Sequence, residues 1–180
     1  MKIFLFLFAL SLTASDELPK YKRSSFKHWI DKDRDCQNTR AEVLIKRSQV
    51  KVSFTQTKSK KKCTVATGLW KDFYYNEIHK LAKKVDIDHI VPLKHAWDHG
   101  AYQWSKKERE DFANDPENLV ITNRSYNRSK GAQSPLTWMP VERQYACRYM
   151  KKWLTIKEKY RLMISAQERD HFTRLNCSSL

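Results

Sequence analysis

No two cysteines in this 180-residue sequence are spaced as C-x-x-C, so neither a zinc knuckle nor a thioredoxin-type redox pair is written in it. No apolar stretch reaches the roughly 20 residues a membrane-spanning helix needs. The longest, Ile3 to Leu12, falls well short. Internal repeats and low-complexity tracts are absent, and no linker announces a second domain. Negative charge is also scarce, with 20 acidic residues against 35 basic ones and a net charge of +15. That balance excludes a polycationic partner and points to a polyanion: nucleic acid, anionic glycan or membrane surface.

What is present organises quickly. The opening MKIFLFLFALSLTAS carries a lone Lys2, an apolar run and small residues at Ala14 and Ser15, the plan of a secretory signal peptide. It predicts that residues 1–15 are removed and that residues 16–180 form one exported domain. The basic excess belongs to that mature part. The four cysteines, Cys36, Cys63, Cys147 and Cys177, are even in number, and two disulfides are their natural use in an exported chain. Three pairings are formally possible. Cys36 with Cys63 and Cys147 with Cys177 is the favoured one, because each bridge closes a modest local loop.

Along the chain, AEVLIKRS has helical spacing, with Ala41, Leu44 and Ile45 on one side. The period then changes: VKVSF alternates, TKSKKK is a solvated turn and CTVATGLW is extended again, so residues 50–70 read as a β-hairpin with a basic tip. Asn76 to Lys84 is expected as a short helix with Ile78, Leu81 and Ala82 inward. VDIDHIVPL reads as a strand ended by Pro92, which cannot donate to a ladder. A long excursion follows, containing a helix at SKKEREDF with a Ser105–Glu108 capping box. ENLVITN is a second strand. Val141 to about Ile164 is expected as one helix, with Tyr145, Tyr149, Trp153, Ile156 and Tyr160 near one face as core packing.

Four features fall in order: Asp88-His89 at the end of a strand, Asn118-Leu119 opening the next, Asn127 on the following helix, and Lys130-Gly131 after it. Here the chain resembles the HNH endonucleases. More specifically, the text from DIDHIVPL through DPENLVITNRSYNRSKG, with CQNTRAEVLI and GLW before it, is similar to secreted HNH proteins related to the C-terminal nuclease domain of the Gmr-type restriction enzymes. The resemblance implies an α+β fold. Its ββα-metal core (HNH, or His-Me finger) would span about residues 85–133, flanked by an N-terminal helix and β-hairpin and a C-terminal helix, and stapled by disulfides.

The residue types suit phosphodiester hydrolysis. That reaction needs a way to make water nucleophilic and positive charge where the phosphorane gathers negative charge. A neutral imidazole accepts a proton at pH 7, so His89 suits the general base. By resemblance, Asn118 aims it, tying down the loop between the strands so that a backbone carbonyl there sets the tautomer. Alternation along a strand turns Asp88 away from His89, where it can meet Asn127 across a divalent ion. A carboxylate and an amide oxygen are hard ligands, so a single Mg²⁺ or Mn²⁺ is expected. Many HNH proteins carry histidine where this chain has Asn127. Asp86, one strand period from Asp88, is a further partner or ligand. Arg124, Arg128 and Lys130 are candidate phosphate clamps. A zinc site from His89, His95 and His99 lacks a carboxylate at a familiar spacing, and Pro92 interrupts the helix it would need.

These readings predict a monomeric, secreted nuclease acting on DNA with little sequence preference, and leave RNA open as a further substrate. The alternative from another class is a non-catalytic extracellular binder of DNA or heparin-like glycan on the same fold.

Overall fold

A computed structural model describes residues 17–56 and 62–177. The expected signal peptide and most of the basic hairpin tip, residues 57–61, lie outside the described residues. Asn38 opens helix α1 (Thr39–Arg47), its side chain accepting from the Ala41 N–H at 3.1 Å, which satisfies one of the unpaired donors of a helix start. The helix buries Ala41 and Leu44 of the face read from its spacing, with Val43 beside them, while Ile45, expected on that face, is half-buried.

The hairpin forms from β1 (Ser53–Phe54) and β2 (Val65–Lys71), paired antiparallel. Trp70 fastens it to α1, donating from Nε1 to the Leu44 carbonyl at 2.8 Å. Gly68 makes room for that indole, since a Cβ there would lie 2.4 Å from Trp70 Cζ2. The stretch expected as a helix at Asn76 to Lys84 is instead β3 (Ile78–Leu81), followed by a 3-10 turn over Ala82–Lys84. Ile78 and Leu81 were to face inward, but they are 62% and 40% exposed. The buried residue is His79, and pairing with β2 outweighs a weak helical spacing.

A separate two-stranded ribbon consists of β4 (Val85–His89) and β5 (Leu119–Asn123), with His89 opposite Leu119 and Asp86 opposite Thr122. Between the strands lie α2 (Leu93–Asp98), which starts directly after Pro92, and α3 (Lys106–Asn114), which opens with the expected Ser105–Glu108 capping box. Helix α4 (Arg124–Lys130) leaves β5 without a loop. It stops at Gly131, whose φ of 53° is costly for residues with a Cβ.

The aromatic C-terminal helix is α5 (Arg143–Lys159), and it buries Tyr145, Tyr149, Trp153 and Ile156. A further helix, α6 (Ala166–Leu175), follows it with its own Ser165–Glu168 capping box. One core cluster lies between α2, α3 and α5, and a second lies between α1, β2 and the ribbon. The disulfides are Cys36–Cys63 and Cys147–Cys177, the pairing favoured on loop length. The first ties the segment before α1 to the hairpin. The second ties α5 to the turn after α6.

Candidate active site

Asp88 and His89 sit at the last two positions of β4, and both are 6% exposed. The His89 Nε2 lies 2.8 Å from the carbonyl oxygen of Ala113, in the last turn of α3. A carbonyl only accepts, so Nε2 carries the proton and the lone pair is on Nδ1. Burial lowers the imidazole from its ordinary 6.5 to about 3, against the Ala113 bond that favours the charged ring; Lys130, Arg23 and His28 reinforce the burial. Burial thus holds the ring toward its neutral form, with the lone pair on Nδ1.

Asn118 joins the two ends of the interstrand excursion. Its Oδ1 accepts from the Val91 N–H at 2.9 Å, its Nδ2 donates to the Val91 carbonyl at 3.3 Å, and its backbone carbonyl accepts from the Ile90 N–H at 2.8 Å. It is fully buried. The carbonyl on the imidazole is that of Ala113, five residues upstream of the side chain that closes the loop.

On the other face of β4, Asp88 Oδ2 accepts from the Tyr74 hydroxyl at 2.7 Å and pairs with Lys130 Nζ at 2.9 Å. Burial pushes the Asp88 carboxyl up, and Lys130 opposes the shift. Burial likewise pushes Lys130 down, and Asp88 opposes it. The Lys130 ammonium also donates to the His89 carbonyl at 2.8 Å. It is fully buried and committed inside the protein, below the surface a phosphate would meet. Asp86, on the same face, binds Arg124 Nε at 3.2 Å and accepts from Asn127 Nδ2 at 3.1 Å. Helix α4 thus lays Arg124, Asn127 and Lys130, at intervals of three, along the two carboxylates of β4. Arg128 is exposed on the same helix.

Asp88, His89 and Asn127 line one cavity of about 320 Å³, together with Ile87, Gly131, Arg23 and Lys94. The donor set suits a hard divalent cation. Tyr74 and Lys130 both contact Oδ2 of Asp88, not Oδ1. The Asn127 amide spends its nitrogen on Asp86, so its oxygen is the atom it would offer a cation. Two protein oxygens would leave the remaining positions to water and phosphate.

Elsewhere among the described residues, two carboxylate groups lie close enough to share an ion: Asp72 with Glu77 and His79, and Asp31 with Asp33 and Asp35. Asp72 is already saturated. Its Oδ1 accepts from the N–H groups of Tyr74 and Tyr75 and from Thr122 Oγ1, and its Oδ2 from the Asn123 N–H and His79 Nε2. It is the hub that joins the turn after β2 to the start of α4. His95 and His99 stack on each other at 3.8 Å, and His95 faces Lys157 at 3.3 Å, so they form a cluster with α5 and α6.

Several participants left no mark in the motif. Tyr74 lies 14 residues before the carboxylate it meets, and the Ala113 carbonyl belongs to the backbone, which any residue supplies. Arg23 and Lys94 reach the cavity from segments outside the motif.

The chain matches the family model described as "GmrSD restriction endonucleases, C-terminal domain" over residues 39–175. It is 34% identical over 157 residues to an "Uncharacterized secreted protein" of Arthroderma benhamiae (strain ATCC MYA-4681 / CBS 112371), a match covering 86% of this chain and 74% of the relative. No solved structure matches.

Proposed function

The chain belongs to the family of the GmrSD restriction endonuclease C-terminal domain, and we propose that it is a secreted, metal-dependent endonuclease that hydrolyses DNA, and RNA as a second substrate, with little regard to sequence. The family points to a nuclease of HNH type, and HNH nucleases generally use a divalent metal. The observation that carries the finer reading is the shared cavity. A neutral imidazole, its Nε2 proton held by Ala113, lines the same space as a buried carboxylate and an amide oxygen.

In this reading His89 Nδ1 takes a proton from water as the water oxygen attacks phosphorus in line. The new P–O bond forms as the bond to the leaving oxygen breaks, and solvent protonates that oxygen. A bound phosphate anion favours the imidazolium and so raises the basicity that burial depresses. Asn118 ties the chain after β4 to the turn that follows α3, whose last turn carries the Ala113 carbonyl, and so keeps the ring aimed. Asp88 and Asn127 would hold a single Mg²⁺ or Mn²⁺, which when bound supplies Lewis-acid stabilisation of the phosphorane and the leaving oxygen. Lys130 is the internal counterion that keeps Asp88 ionised where burial opposes it. Arg128, and Arg124 if it exchanges Asp86 for phosphate, contact the backbone of the substrate, as the net charge of +15 favours.

Export is supported by the signal-peptide plan of residues 1–15, by two disulfides and by the name of the fungal relative. No helix among the described residues is long and apolar enough to cross a membrane. The protein is taken to act as a monomer. The test is an assay of the oxidised mature protein on plasmid, single-stranded DNA and RNA with Mg²⁺, Mn²⁺ and chelator. Fragments that require added metal are expected. Tight DNA binding without fragments under any ion would replace the nuclease with a binder.

A further inference from the structure

The segment before α1 precedes the residues matched by the family model, yet it covers the candidate base. Residues 19–30 are laced to the interstrand helices. Trp97 Nε1 donates to the Pro19 carbonyl at 2.6 Å, Arg109 Nε to that of Ser25 at 3.1 Å, and Asn114 Nδ2 to that of Lys27 at 2.8 Å. Phe26 is buried in the core beneath them. At the end of this strap the Trp29 ring stacks on the His89 imidazole, with centroids 5.8 Å apart and planes 29° from parallel.

The backbone gives no reason for tryptophan here. Trp29 has φ of 58°, the left-handed region that glycine and asparagine enter easily and a bulky side chain does not. A residue held against its backbone preference is held by its side chain, and this side chain lies partly on the second core cluster and partly on His89.

We propose that Trp29 is a positioning residue for His89, an inference that rests on the nuclease reading above. The Ala113 carbonyl fixes one atom of the imidazole, Nε2, and one hydrogen bond leaves the ring free to tilt about that contact. A flat partner against its face removes the tilt, so that Nδ1 keeps one direction toward the cavity. Trp29 and Ala113 act together because the strap and the end of α3 are themselves joined: the Ile30 N–H donates to Asn114 Oδ1 at 3.3 Å, one residue beyond Ala113. The strap is therefore a wall of the site, and Arg23 on the same segment lines the cavity with His89.

The test uses Trp29→Leu, which keeps apolar bulk without a flat face, and Trp29→Phe, which keeps a flat face. Both are made in the wild-type and His89→Ala backgrounds of the mature oxidised protein. Single-turnover rates and KM are measured on a short duplex, with thermal melting as a check on folding. W29L is expected to lower the rate at least about tenfold, with KM within about twofold, because misaimed bases lose chemistry before binding. W29F is expected to recover most of the loss. In the H89A background W29L should cost nothing more, since the residue through which it acts is gone.

A folded W29L with wild-type rate, or one that loses the same factor in both backgrounds, overturns the proposal while leaving the general base in place. Full activity in H89A alone overturns the nuclease assignment of His89, and the role of Trp29 with it.

Discussion

Lys130 Nζ lies 2.9 Å from Asp88 Oδ2, with both side chains almost wholly out of solvent. The pair links the last turn of α4 to the end of β4, and the same ammonium holds the His89 carbonyl. Burial shifts each partner toward its neutral form, and the charge of the other opposes that shift.

Removing one member should therefore be far worse than removing both. Lys130→Met leaves a buried carboxylate uncompensated and is expected to destabilise the fold by about 3–5 kcal/mol, whereas Lys130→Met with Asp88→Asn should regain most of that loss. Urea unfolding of the wild type and the two variants measures it. Equal stability of the single and double variants would contradict the pairing.

The ribbon and its helix were legible in the sequence because their signals are local. Alternation in VDIDH, the breaker Pro92 and Gly131 after a short polar helix each act within a few residues. The places of His89 at the end of β4, Asn118 before β5 and Asn127 on α4 could be read for the same reason, since they follow from those elements. The β3 strand at Ile78–Leu81 was not legible: its buried residue is a histidine, and its place is set by pairing with β2 across the chain. Helix α6 had only a capping box to announce it. The contacts that shape the site, Tyr74 on Asp88, Ala113 on His89 and Trp29 over the ring, are long-range. One of them is made by a backbone atom that no side-chain pattern records.

Acid should unfold the protein earlier than its carboxylates alone would require. Burial holds the His95 imidazole down, at about 2, with His99, Lys157, Lys130 and Lys94 acting in the same direction. Lys157 stands 3.3 Å away and is itself paired to Glu168 at 2.9 Å. Because the folded value is depressed, the unfolded chain binds one more proton between about pH 6.5 and pH 2. Stability is then full above 6.5 and falls as pH falls through that window, by up to about 1.4 kcal/mol per pH unit for one proton. Unfolding curves at pH 7, 6 and 5 should show a shallower slope for His95→Gln, even though its stability at pH 7 is lower. An unchanged slope would contradict the buried neutral histidine.

The Cys36–Cys63 bridge closes a 27-residue separation and anchors the chain just after the strap. On the loop-entropy account its loss should cost about 3–4 kcal/mol, so the Cys36→Ala, Cys63→Ala protein should melt well below the oxidised wild type. Activity should fall with it, because the segment that carries Trp29 loses its tether. Identical melting of the two proteins would remove the bridge from the account of stability.

The most direct test is the single-turnover cleavage rate of His89→Ala on a labelled duplex with Mg²⁺, measured beside its DNA affinity. The rate is expected to fall at least about 100-fold, the lower end of what a positioned general base contributes, with affinity unchanged. A variant that binds and cuts like the wild type would show that the imidazole against Ala113 does not make the nucleophile.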